Sequence, residues 1–149
     1  MSPSDRLLPI PTPETQHFWD GAREGELRLQ RCCDCGHVYF PPRPFCPKCA
    51  HREVEIFPAS GRASLYSYVI SHRPAPGLEA PFAIAVVQLE EGPRMMTNII
   101  DCEQTPEALI LDTPLQVRFE TVHDEIPSPV FGPVHTTVRA ASPAPPHSR

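Results

Sequence analysis

The sequence predicts a mainly β protein with a short N-terminal helix, a small cysteine-rich ribbon and a five-stranded barrel. Two Cys-x-x-Cys pairs lie close together in the first third of the chain, which favours a ribbon built around its cysteines. Several short apolar or alternating runs follow, separated by turn residues, as in small all-β domains. Twenty-one of the 149 residues are proline, which favours loops, turns and edge strands over long helices.

The cysteine pairs are spaced to bind a metal. Two residues between the cysteines of a pair let both thiolates point inward from one tight turn. Two such turns facing each other surround a tetrahedral ion with four sulfurs. Gly36 follows the first pair, at a position where a positive φ costs little. We therefore predict one structural zinc per chain, with these ligands: Cys32, Cys35, Cys46 and Cys49.

Three other interpretations of the cysteines are weaker. A disulfide framework needs an oxidising compartment, of which the sequence gives no sign. A thioredoxin-like pair opens a helix, whereas these cysteines lie among prolines. A catalytic zinc needs an open position, which four thiolates do not leave. Cys33 lies outside the spacing and is interpreted as a spare thiol, and Cys102 as a half-buried structural thiol whose pKa its acidic neighbours raise.

The net charge of −5 is unevenly distributed. Residues 27–52 carry five basic side chains and one acidic one, whereas residues 53–149 carry six basic and twelve acidic ones. An acidic barrel disfavours a phosphate backbone as its partner. No run of about 18 apolar residues and no signal pattern is present, so we expect no membrane span. We expect a cytoplasmic protein with reduced thiols.

Local patterns predict the elements before the barrel. Thr12 is a candidate N-cap, Pro13 is suited to the first helical position, and Gly25 ends a helix over residues 14–24. Residues 27–31 alternate and lead into the first cysteine pair as a ribbon strand, and residues 38–40 return from it. Residues 51–58 are expected to leave the ribbon.

Five further runs predict the barrel strands, with a helical turn at residues 105–110 between the third and fourth. The predicted strands cover residues 61–71, 82–89, 94–100, 115–123 and 130–139. This plan matches a small Greek-key barrel of the OB type, although another small β-sandwich or barrel also fits. The predicted domains are the arm and helix (1–26), the ribbon (27–58), the barrel (59–139) and a disordered tail (140–149).

Several stretches resemble one domain-of-unknown-function family, in which a rubredoxin-like zinc ribbon precedes an OB fold. They are Gly25–Cys32, Cys35-Gly36, Phe40-Pro41-Pro42-Arg43 and Cys46-Pro47-Lys48-Cys49, with softer matches in the barrel. The resemblance implies a role in acyl-CoA metabolism as a partner of thiolase-like enzymes, acyl-carrier condensing enzymes or hotdog-fold enoyl-CoA hydratases. The family usually has glycine before the fourth barrel strand, where this chain has Asp112. Aspartate tolerates a left-handed backbone better than most residues, so we expect the turn to survive.

The sequence contains no catalytic set with convincing spacing, so we expect the chain not to be an enzyme by itself. Our first hypothesis is a non-catalytic accessory subunit that binds a CoA-dependent enzyme and supports acyl-CoA binding or turnover. The alternative is a single-stranded nucleic-acid-binding protein that stacks bases on Tyr66, Tyr68 and Phe82. The two tyrosines are equally well explained as one barrel face. A third hypothesis is an enzyme that acts on acyl-CoA alone.

Three groups of residues are candidate contacts with a ligand or partner. The ribbon's basic side chains suit an acidic partner surface or the phosphates of coenzyme A. The loop between the first two barrel strands lies where OB proteins hold ligands, although it is equally consistent with a plain exposed loop. Two helix aromatics either cover the domain or dock on a partner. The residues are Arg31, Arg43, Lys48 and Arg52; His72 and Arg73; and Phe18 and Trp19.

Overall fold

The computed structural model describes residues 6–121 and 126–134, which form one helix and two antiparallel sheets. The elements are α1 Gln16–Arg23, β1 Arg28–Cys32, β2 Val38–Tyr39, β3 Val54–Pro58, β4 Arg62–Ser71, β5 Phe82–Leu89, β6 Arg94–Thr97, β7 Pro114–Glu120 and β8 Ser128–Pro133. The ribbon sheet has the order β2-β1-β3 and the barrel sheet the order β6-β5-β4-β7-β8. No helix in the described part of the chain is long and apolar enough to cross a membrane.

The helix begins later than predicted. Thr12 is not its N-cap, because Thr12 and Thr15 close a separate turn in front of the helix: the Thr12 amide donates to Thr15 Oγ1 at 2.9 Å, and the Thr15 amide donates to the Thr12 carbonyl at 3.0 Å. Gln16 is therefore the first helical residue. The predicted end is confirmed, since Gly25 follows the last turn with a φ of 75° and terminates the helix.

The ribbon contains a third strand that the sequence did not predict. Residues 51–58 do not simply leave the ribbon, because β3 pairs with β1 in a register that runs from Arg28 opposite Pro58 to Cys32 opposite Val54. The strand lies at the sheet edge and is mostly exposed, so its apolar pattern is weak. It places β1 at the centre of the ribbon, between its two partners.

The five-stranded sheet closes into a barrel. Ile99, just beyond β6, forms a parallel bridge with Phe131 of β8. The Phe131 amide donates to the Asn98 carbonyl at 3.1 Å, and the Ile100 amide donates to the Phe131 carbonyl at 2.9 Å. The strand order with this closure is that of an OB fold, which confirms the predicted class. A helical turn follows β6, where the Leu109 amide donates to the Thr105 carbonyl at 2.9 Å.

Some predicted strand ends differ from the structure or lie outside it. β6 ends at Thr97 rather than at residue 100. β7 ends at Glu120 and β8 ends at Pro133, earlier than the predicted ends at residues 123 and 139. Residues 123 and 139 and the predicted tail lie outside the described residues.

The helix and the ribbon's central strand contribute to the barrel core. Phe18 is only 5% exposed, and it belongs with Leu27 and Leu29 to the same apolar cluster as Leu65 and Phe131 inside the barrel. The base of the ribbon is therefore joined to the barrel by shared buried surface. The cysteine turns lie beyond this shared core, with a separate small cluster of their own.

Two backbone features shape the barrel surface. Asp112 takes a φ of 65° and its amide donates to the Leu65 carbonyl at 2.8 Å, so the expected left-handed turn is confirmed. The pairing of β4 with β5 shifts between Leu65 and Ser67, which is a β-bulge. Because of it, Tyr66 is exposed whereas Tyr68 packs against the core, so the interpretation of the two tyrosines as one face was wrong.

Candidate metal centre

Two matching turns present the cysteine sulfurs. In the first, the Gly36 amide donates to the Cys32 carbonyl at 3.1 Å. In the second, the Ala50 amide donates to the Cys46 carbonyl at 2.9 Å. The residue that closes each turn has a positive φ, 72° at Gly36 and 63° at Ala50. The first turn follows the end of β1, and the second follows the proline-rich loop, so each pair of thiols is fixed by local backbone hydrogen bonds.

The four sulfurs are arranged to bind zinc. The Sγ atoms of Cys32 and Cys49 are 3.6 Å apart, and those of Cys35 and Cys46 are 3.7 Å apart. All four sulfur atoms lie within 4.8 Å of one another. A zinc–sulfur distance of about 2.3 Å places the corners of a regular tetrahedron about 3.8 Å apart, so the site fits one structural zinc. The predicted ligand set is therefore the set that the fold brings together.

The neighbouring sulfurs shift one another's protonation. Backbone amides, that of Cys35 first, donate to the Cys32 sulfur and lower its pKa to about 6. At Cys49 the His51 amide favours the thiolate, but burial and the neighbouring sulfurs outweigh it and raise the pKa to about 12. Four thiolates this close repel one another, and a divalent cation offsets that repulsion. Zinc bound here supplies structural cross-linking, since sulfur fills all four positions.

A small apolar cluster lies behind the zinc ligands. Cys32 and Cys46 are buried with Tyr39, and Val54 packs against them. The Lys48 amide donates to the Cys46 sulfur at 3.4 Å, which adds a further backbone donor to the metal site. Burial, and then the nearby sulfurs, raise the pKa of Tyr39, so its hydroxyl stays protonated.

Two successive stretches of the chain each match a known domain. Residues 19–55 match the rubredoxin-like zinc ribbon domain of ChsH2, and residues 57–120 match the ChsH2 C-terminal OB-fold domain. A "DUF35 domain-containing scaffold protein" of Methanocaldococcus jannaschii is 37% identical over 98 residues, which are 64% of this chain and 68% of that protein.

The chain belongs to the DUF35 family. A solved structure of this family, titled "Ltp2-ChsH2(DUF35) aldolase", superposes with a TM-score of 0.76 at 30% identity, over 85% of this chain and 98% of that one. A "Probable enoyl-CoA hydratase alpha subunit" of Thermomonospora curvata is 33% identical over 118 residues, 78% of this chain. That alignment covers only 36% of the hydratase subunit, so the chain spans little more than a third of its length.

The basic residues that the sequence singled out on this DUF35 ribbon have different surroundings. Arg31 is engaged within the ribbon: it lies 3.7 Å from a carboxylate oxygen of Glu55, and its guanidinium carbon is 4.3 Å from the centroid of the Phe57 ring. Arg43 and Lys48 are exposed, and no carboxylate of the described residues lies within ion-pair distance of them. Arg52 is exposed in the same way.

Lys48 also lines a cleft between the ribbon and the barrel. The cleft has a volume of about 600 Å³, and the turn between β5 and β6 forms its far wall with Glu91 and Arg94. Tyr39 lines the same cleft, and its hydroxyl has no hydrogen-bond partner among the described residues. The sequence reasoning missed the contribution of this hairpin turn, because nothing local places residues 91–94 opposite the ribbon.

The remaining candidate residues are not part of the cysteine cluster. His72 and Arg73 are exposed on the β4–β5 loop, where the Ser71 hydroxyl donates to the Arg73 carbonyl at 2.9 Å. Phe18 is buried and Trp19 is half-buried, with their ring centroids 4.9 Å apart. Burial leaves no free face of Phe18 for a partner, so a docking role for this helix would rest on Trp19.

Cys33 and Cys102, which are outside the zinc ligand set, differ in solvent exposure. Cys33 is exposed, and its backbone amide donates to the Glu53 carbonyl at 3.0 Å. Cys102 is half-buried, and burial first, then the charge of Asp101, raises its pKa. The predicted effect of an acidic neighbour on Cys102 is thus confirmed, and it disfavours a nucleophilic thiolate there.

Proposed function

We propose that this chain is a non-catalytic accessory subunit of a CoA-dependent enzyme, either thiolase-like or a hotdog-fold enoyl-CoA hydratase, and that it supports acyl-CoA binding or turnover. The observation that carries the proposal is the superposition of the whole ribbon-and-barrel unit on the DUF35 chain of an aldolase structure, at 30% identity and with 98% of that chain covered. A related sequence forms part of a hydratase alpha subunit, which supports the same class of partner. Reduced, zinc-bound thiols fit a cytoplasmic location for the complex.

The zinc centre supports a docking role. Its four sulfurs leave no coordination position for a substrate or a water molecule, so the metal fixes the shape of the ribbon. The ribbon then presents exposed cationic side chains at fixed positions. We infer that Arg43, Lys48 and Arg52 contact an acidic surface of the enzyme or the phosphates of coenzyme A.

The nucleic-acid alternative is less well supported. Proteins that bind single strands combine stacking aromatics with a positively charged groove. Here Tyr68 packs inward, and the adjacent strands β5 and β6 carry one charged residue, Arg94. This face therefore lacks the row of cations that a phosphate backbone requires.

The experiment is affinity purification of the tagged chain from its native cell, followed by mass spectrometry and an acyl thioester assay. We expect an acyl-CoA enzyme to co-purify, and we expect turnover to need both polypeptides. Turnover of an acyl thioester by this chain alone, or salt-sensitive binding to oligonucleotides without any enzyme partner, would refute the proposal.

The charge contribution of the ribbon is tested by reversing it. The double variant Arg43→Glu/Lys48→Glu places two acidic groups where the wild type has two cations, so we expect partner or acyl-CoA binding to weaken by about tenfold or more. Arg73→Glu makes the same type of reversal at the other predicted contact, on the barrel loop, and shows whether that loop takes part separately. If the double variant binds as the wild type does, the ribbon cations have no part in recognition.

A further inference from the structure

The outward face of strands β4, β5 and β6 carries adjacent aliphatic side chains, of which Val69, Ile84 and Met96 are exposed and Val86 is half-buried. Val69 of β4 lies opposite Ile84 of β5, and Val86 of β5 lies opposite Met96 of β6. Val69 is 62% exposed and Met96 is 70% exposed. A single exposed aliphatic residue is ordinary, but neighbours on three adjacent strands form a continuous apolar patch, which marks an interaction site. We call this patch the β4–β5–β6 face.

The charges of this face are unusual for an acidic barrel. The three strands contain no aspartate or glutamate, although residues 53–149 carry twelve acidic side chains. Their two cations are Arg62, which is paired with Glu90 at 2.7 Å, and Arg94. Protein interfaces are likewise poor in acidic residues at their centres and rich in methionine, tyrosine and arginine. The composition of the face therefore favours a protein partner.

One aromatic–cation pair is already ordered at the edge of this face. The Arg94 guanidinium carbon lies 3.8 Å from the centroid of the Tyr66 ring, and Arg94 Nε donates to Gln88 Oε1 at 2.9 Å. The bulge in β4 is what turns Tyr66 outward to meet Arg94. Side chains that are already ordered lose less entropy on binding, and tyrosine and arginine dominate binding energy at interfaces.

A hollow at the other end of the face completes the surface. It has a volume of about 340 Å³ and is lined by Leu78, Phe82, Ile84 and Met96. Leu78 comes from the β4–β5 loop, whose Ala75 and Leu78 are bridged by two backbone hydrogen bonds of 3.0 and 2.8 Å. The hollow is thus preformed and apolar, and it has room for an apolar anchor side chain from a partner.

We propose that the CoA-dependent enzyme docks on the β4–β5–β6 face in addition to contacting the ribbon cations, with an apolar side chain in the hollow and a carboxylate against Arg94. This inference rests on the function proposed above. A second copy of this chain fits less well, because a symmetric contact uses the same patch on both copies. That patch contains no acidic residue, so a second copy would offer Arg94 no carboxylate from it.

The test compares two exposed apolar residues. Met96→Glu places a charge in the β4–β5–β6 face. Ile110→Glu places the same charge in the β6–β7 connection, where Ile110 is 62% exposed. Both variants should keep the zinc content and circular dichroism of the wild type, because both side chains point into solvent. We expect Met96→Glu to lower the amount of acyl-CoA enzyme that co-purifies from the native cell by about tenfold or more, and Ile110→Glu to leave it unchanged.

Each other outcome overturns the inference in a distinguishable way. If the wild-type chain recovers no acyl-CoA enzyme, the proposed function fails and this inference fails with it. If the enzyme is recovered equally well with Met96→Glu, the docking face is wrong while the function stands. If Met96→Glu converts a wild-type dimer to a monomer on light scattering and still binds the enzyme, a second copy covers the face. If neither variant recovers the enzyme, negative charge added anywhere on the barrel weakens binding. The β4–β5–β6 face then has no specific role in docking.

Discussion

The part of the ribbon around the four cysteines, which we call the ribbon tip, and the barrel bury very different amounts of apolar surface. Behind the zinc ligands the ribbon has one small cluster, made of Cys32, Tyr39 and Cys46 with Val54 packed against it. The barrel encloses a core of leucines, valines and Phe131, and it also buries Phe18 of the helix and Leu29 of β1. Small units that cannot bury enough apolar surface commonly rely on a metal. The comparison indicates that zinc stabilises the tip and side-chain packing stabilises the barrel.

The prediction with the largest expected effect removes one zinc ligand and asks whether the two regions are stabilised separately. Cys46 is fully buried, and a serine hydroxyl is a poor substitute for its sulfur, so Cys46→Ser should lower the zinc content from about one per chain to near zero. The ribbon strands should then lose protection from amide hydrogen exchange, whereas β4 and β5 should keep theirs. Cys33→Ser, beside a ligand but outside the predicted set, should retain the zinc. Simultaneous loss of barrel protection would show that the two regions are not stabilised separately.

The prediction with the next largest effect creates a cavity in the barrel core by truncating a buried side chain. Phe131 is fully buried at the bridge that closes the barrel, and Phe131→Ala should lower the free energy of unfolding by about 3–5 kcal/mol in urea denaturation. Phe45 of the ribbon is 45% exposed, so Phe45→Ala should cost much less. The zinc content should stay unchanged in both variants. Equal destabilisation by the two substitutions would contradict a core centred on the barrel.

The smallest effect compares the two cysteine turns with each other. Gly36 and Ala50 occupy equivalent positions with φ values of 72° and 63°, a conformation that costs a residue with a Cβ about 1 kcal/mol or more. A Cβ at Gly36 would meet nothing within 4 Å, so the cost of Gly36→Ala is conformational. We expect Gly36→Ala to weaken zinc retention against a chelator and Ala50→Gly to strengthen it, each by about 1 kcal/mol. Shifts in the same direction would show that the backbone is not the cause.

The features that sequence reasoning predicted correctly depend on local patterns. The four zinc ligands follow from spacing within two tight turns, and the left-handed turn at Asp112 follows from a residue type that tolerates it. Phe82–Leu89 was predicted with its observed bounds, because an apolar run between turns carries its own boundaries.

The features it missed depend on partners distant in the chain. β3 is mostly exposed, and it is a strand because it pairs with β1, whose residues lie 22 to 30 positions earlier. The bulge at Tyr66 is decided by the register against β5, so strict alternation placed Tyr66 and Tyr68 on one face. The hairpin turn that faces the ribbon is positioned by the whole barrel, so no local signal identifies Glu91 or Arg94 as cleft residues.

The bridge between Ile99 and Phe131 also has a consequence for how the chain is synthesised. Until β8 has emerged from the ribosome, β6 and β7 each have an unpaired edge, and open edges recruit other strands. The cysteine turns need only neighbouring residues and can bind zinc well before that point. A nascent chain stalled before residue 128 would therefore have complete cysteine turns attached to an open, aggregation-prone sheet.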